Sequence, residues 1–399
     1  MKGSTARLVE LVRRVSNWDP RKSPGHEAFP YIDLSSVDKE LKAIVPLNVP
    51  LVEPADAPSR ARQLVQEGDV LVSTVRPNLN GVALVDSEFD GATASTGYCV
   101  LRPDPERLDS KYLFYWVQTP RFIEMMIGEA TGANYPAVSD RIIKASELPL
   151  PALAEQKRIA TILDKASALR RKRYQAIELA DQFLRSVFLE MFGGPAKRKS
   201  IAELLREDYL LLHKDGNHGS NYPRKEEFGE KGVPFISAKD ISDDDGSIDY
   251  GAISYLSEKK ARTLKIGWLK KGDVLLAHNA TVGRVGVFEG NVPEALIGTS
   301  LTAYRPNLEK IASQYLFCAL KYSDFQTQLR SNMSQSTRNQ VPITAQKELT
   351  IPVPDLDRQR AFGVIFDRTL RMKKNLCTSM ADCELMMSSL SQKAFTTEI

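Results

Sequence analysis

Two stretches of the chain place apolar residues at alternating steps of three and four. The first runs through Ile159, Ile162, Ala166, Leu169, Arg173, Ala176, Ala180, Phe183 and Val187. The second runs through Phe362, Ile365, Thr369, Met372, Leu376, Ser379, Cys383, Met386 and Leu390. Sustained spacing of this kind draws one stripe along a helix and predicts the seam of a coiled coil. Pro149 and Pro151 punctuate the approach to the first run, and Gly193-Gly194-Pro195 stops it, while the second contains only Gly363 near its start. A helix of about 38 residues is about 57 Å long. Packing between the two helices is expected from Ile159, Ile162, Leu169, Phe183 and Val187 on one, and from Phe362, Ile365, Met372, Leu376, Met386 and Leu390 on the other. Small or polar members of the stripe, such as Arg173, Ala176, Thr369 and Ser379, leave a weak seam that calls for further packing partners.

The segments between these helices carry shorter patterns. Apolar runs at 70–75 and 82–85 flank the turn-forming "RPNLNG", and runs at 274–277 and 285–288 flank "HNATVGR". Both read as hairpins with Asn and Gly supplying the turn. Residues 112–117 and 315–320 read as short packed helices. These patterns are copies of one another. "LPLPALAEQKRIATIL" from Leu148 answers "IPVPDLDRQRAFGVIF" from Ile351, 203 residues on, and "KYLFYW" from Lys111 answers "QYLFCA" from Gln314. Arg102-Pro103 matches Arg305-Pro306; one residue out of step, Gly68-Asp69 matches Gly272-Asp273, and "FPYIDLSSVD" resembles "VPFISAKDI".

A repeat of this length means one structural unit used twice. The expected fold is α+β, with two similar domains separated by two long helices in an antiparallel coiled coil and an internal pseudo-twofold. The segments are residues 1–150 (first domain), 151–194 (central helix), 195–352 (second domain) and 353–399 (C-terminal helix). Connectivity makes the helices antiparallel, because the second helix leaves the domain that the first one enters. That arrangement imitates a symmetric dimer in one chain.

Composition narrows the class without choosing it. The 399 residues are 42% hydrophobic and 26% charged, enough for real cores in a soluble protein. No apolar run reaches the length of a membrane span, and Met1 to Arg14 lacks a signal-peptide core. The four cysteines, Cys99, Cys318, Cys377 and Cys383, form no metal-ligand spacing and fit a reducing cytoplasm. A net charge of +4 permits nucleic-acid binding but does not argue for it. No phosphate-binding GxxxxGK[ST] loop, GxGxxG loop, HExxH or Asn/Asp-Pro-Pro-aromatic element is present. An acidic and lysine set at Asp245, Glu258 and Lys260 is the one trace of nuclease chemistry, and it lies in a charged loop.

Two equivalent domains held a fixed distance apart have the geometry of a bipartite DNA reader, with half-site centres about 34–36 Å or somewhat more apart. The loops carry fitting side chains: Arg60, Arg62, Ser73, Thr74, Arg76, Asn78, Asn80, Asn134 and Tyr135 in the first domain. The second offers His278, Asn279, Thr281, Arg284, Gln335, Thr337, Arg338 and Asn339. Arginine can bond guanine at two points, Asn and Gln can bond adenine, and hydroxyls reach phosphates. The run Arg170 to Arg173 is read as a solvated helix face, with DNA-backbone attraction or partner binding as alternatives.

The segment "LPLPALAEQKRIATILDKASALRRKRYQAIELADQFLRSVFLEMFG" closely resembles the central region of type I restriction-modification specificity subunits, and the duplicated layout resembles such a subunit as a whole. The second copy is more diverged, reading "DRQRAF" for "AEQKRI", though Gln359 keeps the position of Gln156. The resemblance implies two target-recognition domains, each reading half of a split asymmetric site in double-stranded DNA. It implies a helical pair that serves as ruler and docking surface for two adenine-N6 methyltransferase subunits, joined by two motor-nuclease restriction subunits. S-adenosylmethionine, ATP and Mg²⁺ would bind those partners, and this chain would hold no cofactor, metal or catalytic residue. The rival expectations are a metal-dependent nuclease acting alone and a coiled-coil adaptor of another phage-defence system.

Overall fold

The computed structural model describes residues 5–23, 27–132, 134–219, 222–322, 324–333 and 339–395. It divides into two compact units, Met1–Tyr174 with Thr378–Ile399, and Gln175–Cys377. Each long helix, Leu153–Phe192 and Leu356–Phe395, contributes one half to each unit.

In the first unit an antiparallel sheet runs in the order Val12–Arg13, Tyr98–Pro103, Val70–Ser73, Val82–Leu84. A second sheet orders Leu51–Val52, Phe29–Ile32, Thr93–Ser95 and Ala61–Leu64, with its two middle strands parallel. Strand alternation divides the core. Val70, Val72, Cys99 and Leu101 pack toward Tyr112, Trp116, Ile159, Leu163 and Phe395, the helical side. Leu71, Ala83, Tyr98 and Val100 pack toward Ile32 of the second sheet. The central strand is covered on both faces, which is why it reads as a continuous apolar run.

The second unit repeats this build. Its antiparallel sheet orders Leu210–Asp215, Leu301–Pro306, Val274–Ala277 and Val285–Val287. Val274 and Leu276 face the helical core with Phe188 and Phe362, whereas Leu275 and Ala277 face Ile236 and Ile297 of the other sheet. The parallel pair recurs as Val233–Ile236 with Leu296–Ile297. Both expected hairpins and both short helices, Ser110–Trp116 and Ser313–Tyr322, are present.

The repeated words of the sequence are structural fasteners. Gly68 and Gly272 turn the chain at φ 87° and 90°, ahead of Asp69 and Asp273. Each aspartate is almost wholly buried and pairs with Arg102 or Arg305 at 2.7 Å, two-pronged in both cases. Each arginine also donates to a carbonyl, of Leu64 or Trp268. Gln156 and Gln359, fully buried, join each long helix to its own unit: their Oε1 atoms accept from the N–H of Asp109 and of Ala312, both at 2.9 Å.

The helices run antiparallel within each unit. In the first, Arg173 donates to the carbonyl of Ser379, and Cys383 lies against that of Ala166. In the second, Lys373 pairs with Asp181 at 2.6 Å, and Phe188 and Phe192 pack on Phe362 with ring centroids 5.6 Å apart. The seam corrects the expected one by a single residue at alternate positions. Leu163, Arg170 and Leu184 turn inward in place of Ile162, Leu169 and Phe183, and Lys373 and Met387 do so in place of Met372 and Met386, while Phe366 is buried beside a half-buried Ile365. Ile159, Val187, Phe362, Leu376 and Leu390 lie on the buried or half-buried stripe. Ile162, Leu169, Phe183, Met372 and Met386 are 39–50% exposed, Ile162 least and Met372 most. Both stripes alternate threes and fours, so periodicity alone cannot choose between them. Counting apolar residues favours the wrong one, because the true seam contains Arg170 and Lys373, whose charged ends are taken by the carbonyl of Glu40 and by Asp181.

Candidate nucleic-acid interface

One end of each unit is built from two loops held edge to edge by backbone hydrogen bonds. In the first unit, Val75 bridges Ala137, the N–H of Arg76 donates to the carbonyl of Pro136 at 2.7 Å, and that of Val138 donates to Thr74 at 2.9 Å. In the second, Asn279 bridges Gln340, Ala280 donates to Asn339 at 3.2 Å, and Val341 donates to His278 at 2.9 Å. A third strand end closes both: Thr74 donates to Gly97, and His278 to Ser300. Arg76 and Ala280, which hold equivalent places, both adopt left-handed backbone, φ 51° and 63°. Non-glycine residues take that conformation at a cost, and the surrounding bonds hold it. The two units therefore present one backbone frame with different side chains.

Several expected contact residues are free on this frame. Arg76, Asn78, Asn134 and Tyr135 are exposed in the first unit, and Thr281 and Asn339 in the second. The guanidinium of Arg76 stacks on the Tyr135 ring at 4.9 Å, beside a depression of about 370 Å³ that Ser73, Lys39 and Tyr98 also line. Arg60 is exposed on the neighbouring strand turn. Ser73 and Thr74 are half-buried, their hydroxyls donating to the carbonyls of Val75 and Gly97. Asn279 is half-buried at the bridge. Gln335, Thr337 and Arg338 lie outside the described residues.

Two expectations are corrected by burial, and two more residues are engaged in ion pairs. Asn80 is only 8% exposed: with φ 43° it ends the turn and donates Nδ2 to the carbonyl of Val117. His278 is 7% exposed, its Nδ1 2.9 Å from the Thr302 hydroxyl, and burial pushes its pKa down. Arg62 is tied to Asp19 at 2.6 Å. Arg284 pairs with Asp243 at 3.2 Å and reaches the carbonyl of Ile241. Polar residues between strands can be taken up by the backbone of their own fold.

Lys39 and Lys42, which the sequence reading did not single out, stand beside the first frame. The Lys42 ammonium donates to the carbonyl of Asn80 at 2.6 Å, and burial lowers its pKa to about 8. Their only signal in the sequence is the alternation of acids and lysines in "DKELK". The central basic run is not a uniform solvated face. Arg170 donates to the carbonyl of Glu40, Arg173 to that of Ser379, and only Arg171 and Lys172 are exposed.

The acidic trace does not assemble. Lys260 pairs with Glu227 at 3.3 Å, Glu258 with Arg262, and Asp245 accepts from Ser247. Among the described residues no three His, Cys, Asp or Glu side chains could hold a metal ion. No helix among them is long and apolar enough to cross a membrane.

A family model for the type I restriction modification DNA specificity domain matches residues 60–179 and 215–376, which include both loop frames. The chain belongs to this family. This specificity chain is 24% identical over 312 residues to the MjaVIII type I restriction enzyme specificity subunit of Methanocaldococcus jannaschii, covering 75% of this chain and 72% of that one. A chain solved in work on complex assembly and conformational transition of the type I R-M system is 25% identical, with a TM-score of 0.59 and coverage of 100% and 99%. The S subunit of a Type-I restriction-modification system from M. genitalium shares the fold at 17% identity, with a TM-score of 0.59 and coverage of 98% and 96%. The role of this specificity chain is DNA sequence recognition in type I restriction-modification.

Proposed function

We propose that the two loop frames each read one half of a split, asymmetric site in double-stranded DNA, and that the chain carries out no catalysis itself. The observation that carries this reading is the frame duplicated in backbone and unlike in side chains: Arg76 against Ala280, Pro136 against Asn339. Equivalent frames dock alike, and different side chains select different bases. Each unit offers a docking surface for one of two adenine-N6 methyltransferase subunits in the exposed apolar residues of its helices, Ile162, Leu169 and Met386 in the first and Phe183 and Met372 in the second. Two restriction subunits complete the assembly, in the cytoplasm. S-adenosylmethionine, ATP and Mg²⁺ belong to those partners. The methyltransferase must extrude its target adenine, so this chain acts by placing the base.

The test is to co-express the chain with its adenine methyltransferase subunit and sequence the host DNA for methylated adenines. A motif with two unlike halves, modified only when both proteins are present, is the expected result. A stable complex that adds no methylation would sink the reading.

A further inference from the structure

We propose that Arg76 reads a guanine in one half-site through a two-pronged hydrogen bond, and that Ala280 leaves the other half-site without such a reader at the equivalent place. The inference rests on the reading of the loop frames as DNA-contacting. Of the arginines assigned to DNA that the structure describes, Arg62 and Arg284 pair with Asp19 and Asp243, and Arg60 is exposed on a neighbouring strand turn outside the loop frame. Arg76 has no carboxylate partner among the described residues and stands at the apex of the frame. Its backbone is fixed twice over, by the Val75–Ala137 bridge and by the bond to Pro136, in a conformation it would not keep unaided.

The side chain has a partner as well. Tyr135 is 69% exposed, so its ring is not there to fill a core; its face carries the guanidinium at 4.9 Å. A guanidinium over a ring face keeps N–H groups available to bond a base. A phosphate contact needs only a positive charge, which a lysine supplies equally. A planar group held in a set orientation suits the O6 and N7 acceptors of guanine, which lie side by side on the major-groove edge. At Ala280 the same left-handed backbone, φ 63°, and the same loop-to-loop bond carry only a methyl group.

The experiment compares wild type, Arg76→Lys and Arg76→Ala, each full length and in complex with the methyltransferase subunit. It reads the methylated motif base by base and the melting temperature of each complex. Expected are unchanged melting and, in both variants, a loss of about tenfold to a hundredfold in preference for guanine at one position of one half-site. The other half-site keeps its sequence. A wild-type motif in Arg76→Lys overturns the inference, because a point charge then suffices in place of the planar two-pronged group, as does a uniform fall in methylation across all sequences, which marks a contact to phosphate. If Arg76→Ala does not fold, Arg76→Lys decides alone. A wild-type complex that methylates no split motif overturns the underlying reading of the frames instead.

Discussion

His213 sits under the second loop frame. Its Nε2 lies 3.2 Å from the side-chain oxygen of Gln346, which also accepts from the Tyr304 hydroxyl at 2.7 Å, while the Gln346 amide donates to the carbonyl of Val341. Gln346 Oε1 is an acceptor, so His213 carries a proton on Nε2. Burial lowers its pKa from 6.5 to about 4. The unfolded chain therefore binds this proton first: the contribution to stability is complete above about pH 6.5 and is lost as pH falls toward 4. The loss is on the order of 3 kcal/mol, and His278, also pushed down by burial, acts in the same direction. Denaturant unfolding at pH 7 and pH 5 should show this slope, and His213→Asn should flatten it; an unchanged slope would place the proton uptake elsewhere. At this scale the sequence was only partly legible. It displayed Asp69, Arg102, Gln156 and their copies as repeated words but not the ion pairs and caps that explain the repetition. It ranked Asn80 with Arg76, although one is buried and the other exposed. Local composition does not say which polar group of a turn its own fold will consume.

The helices show the same division one level up. Their existence, ends and heptad rhythm were readable, since the first ends at Phe192 just before Gly193-Gly194-Pro195. Their facing was not, because neighbouring residues point about 100° apart and the side that is buried depends on what packs there. Leu163→Ala removes a side chain that is 1% exposed and should destabilise the first unit by about 2–5 kcal/mol. Ile162→Ala, at 39% exposure, should cost well under about 1 kcal/mol in the isolated chain yet weaken co-purification of the methyltransferase subunit. Equal destabilisation by the two substitutions would return the seam to the expected phase.

For the molecule as a whole, duplication means that the two readers vary independently, since each frame lies in its own compact unit and sites without shared partners behave additively. Substituting Thr281 and Asn339, both exposed on the second frame, should alter one half of the methylated motif and leave intact the half that depends on Arg76. Methylation sequencing of the double variant Thr281→Ala, Asn339→Ala checks this. Changes in both halves would show that the frames do not read separately.

What the sequence determined by itself was the repeat, the element types, the antiparallel course of the helices and the family, because periodicity, punctuation and wording are properties of the chain read in order. Tertiary structure alone decided the phase of the seam, which accepts Lys373 opposite Asp181 while Met372 faces out. It also decided which loop residues remain for DNA, drawing Arg62 to Asp19 and Asn80 to Val117 while stacking Arg76 on Tyr135. Those outcomes depend on partners tens of residues away. A side chain's freedom is what remains after distant groups have claimed their bonds and their space.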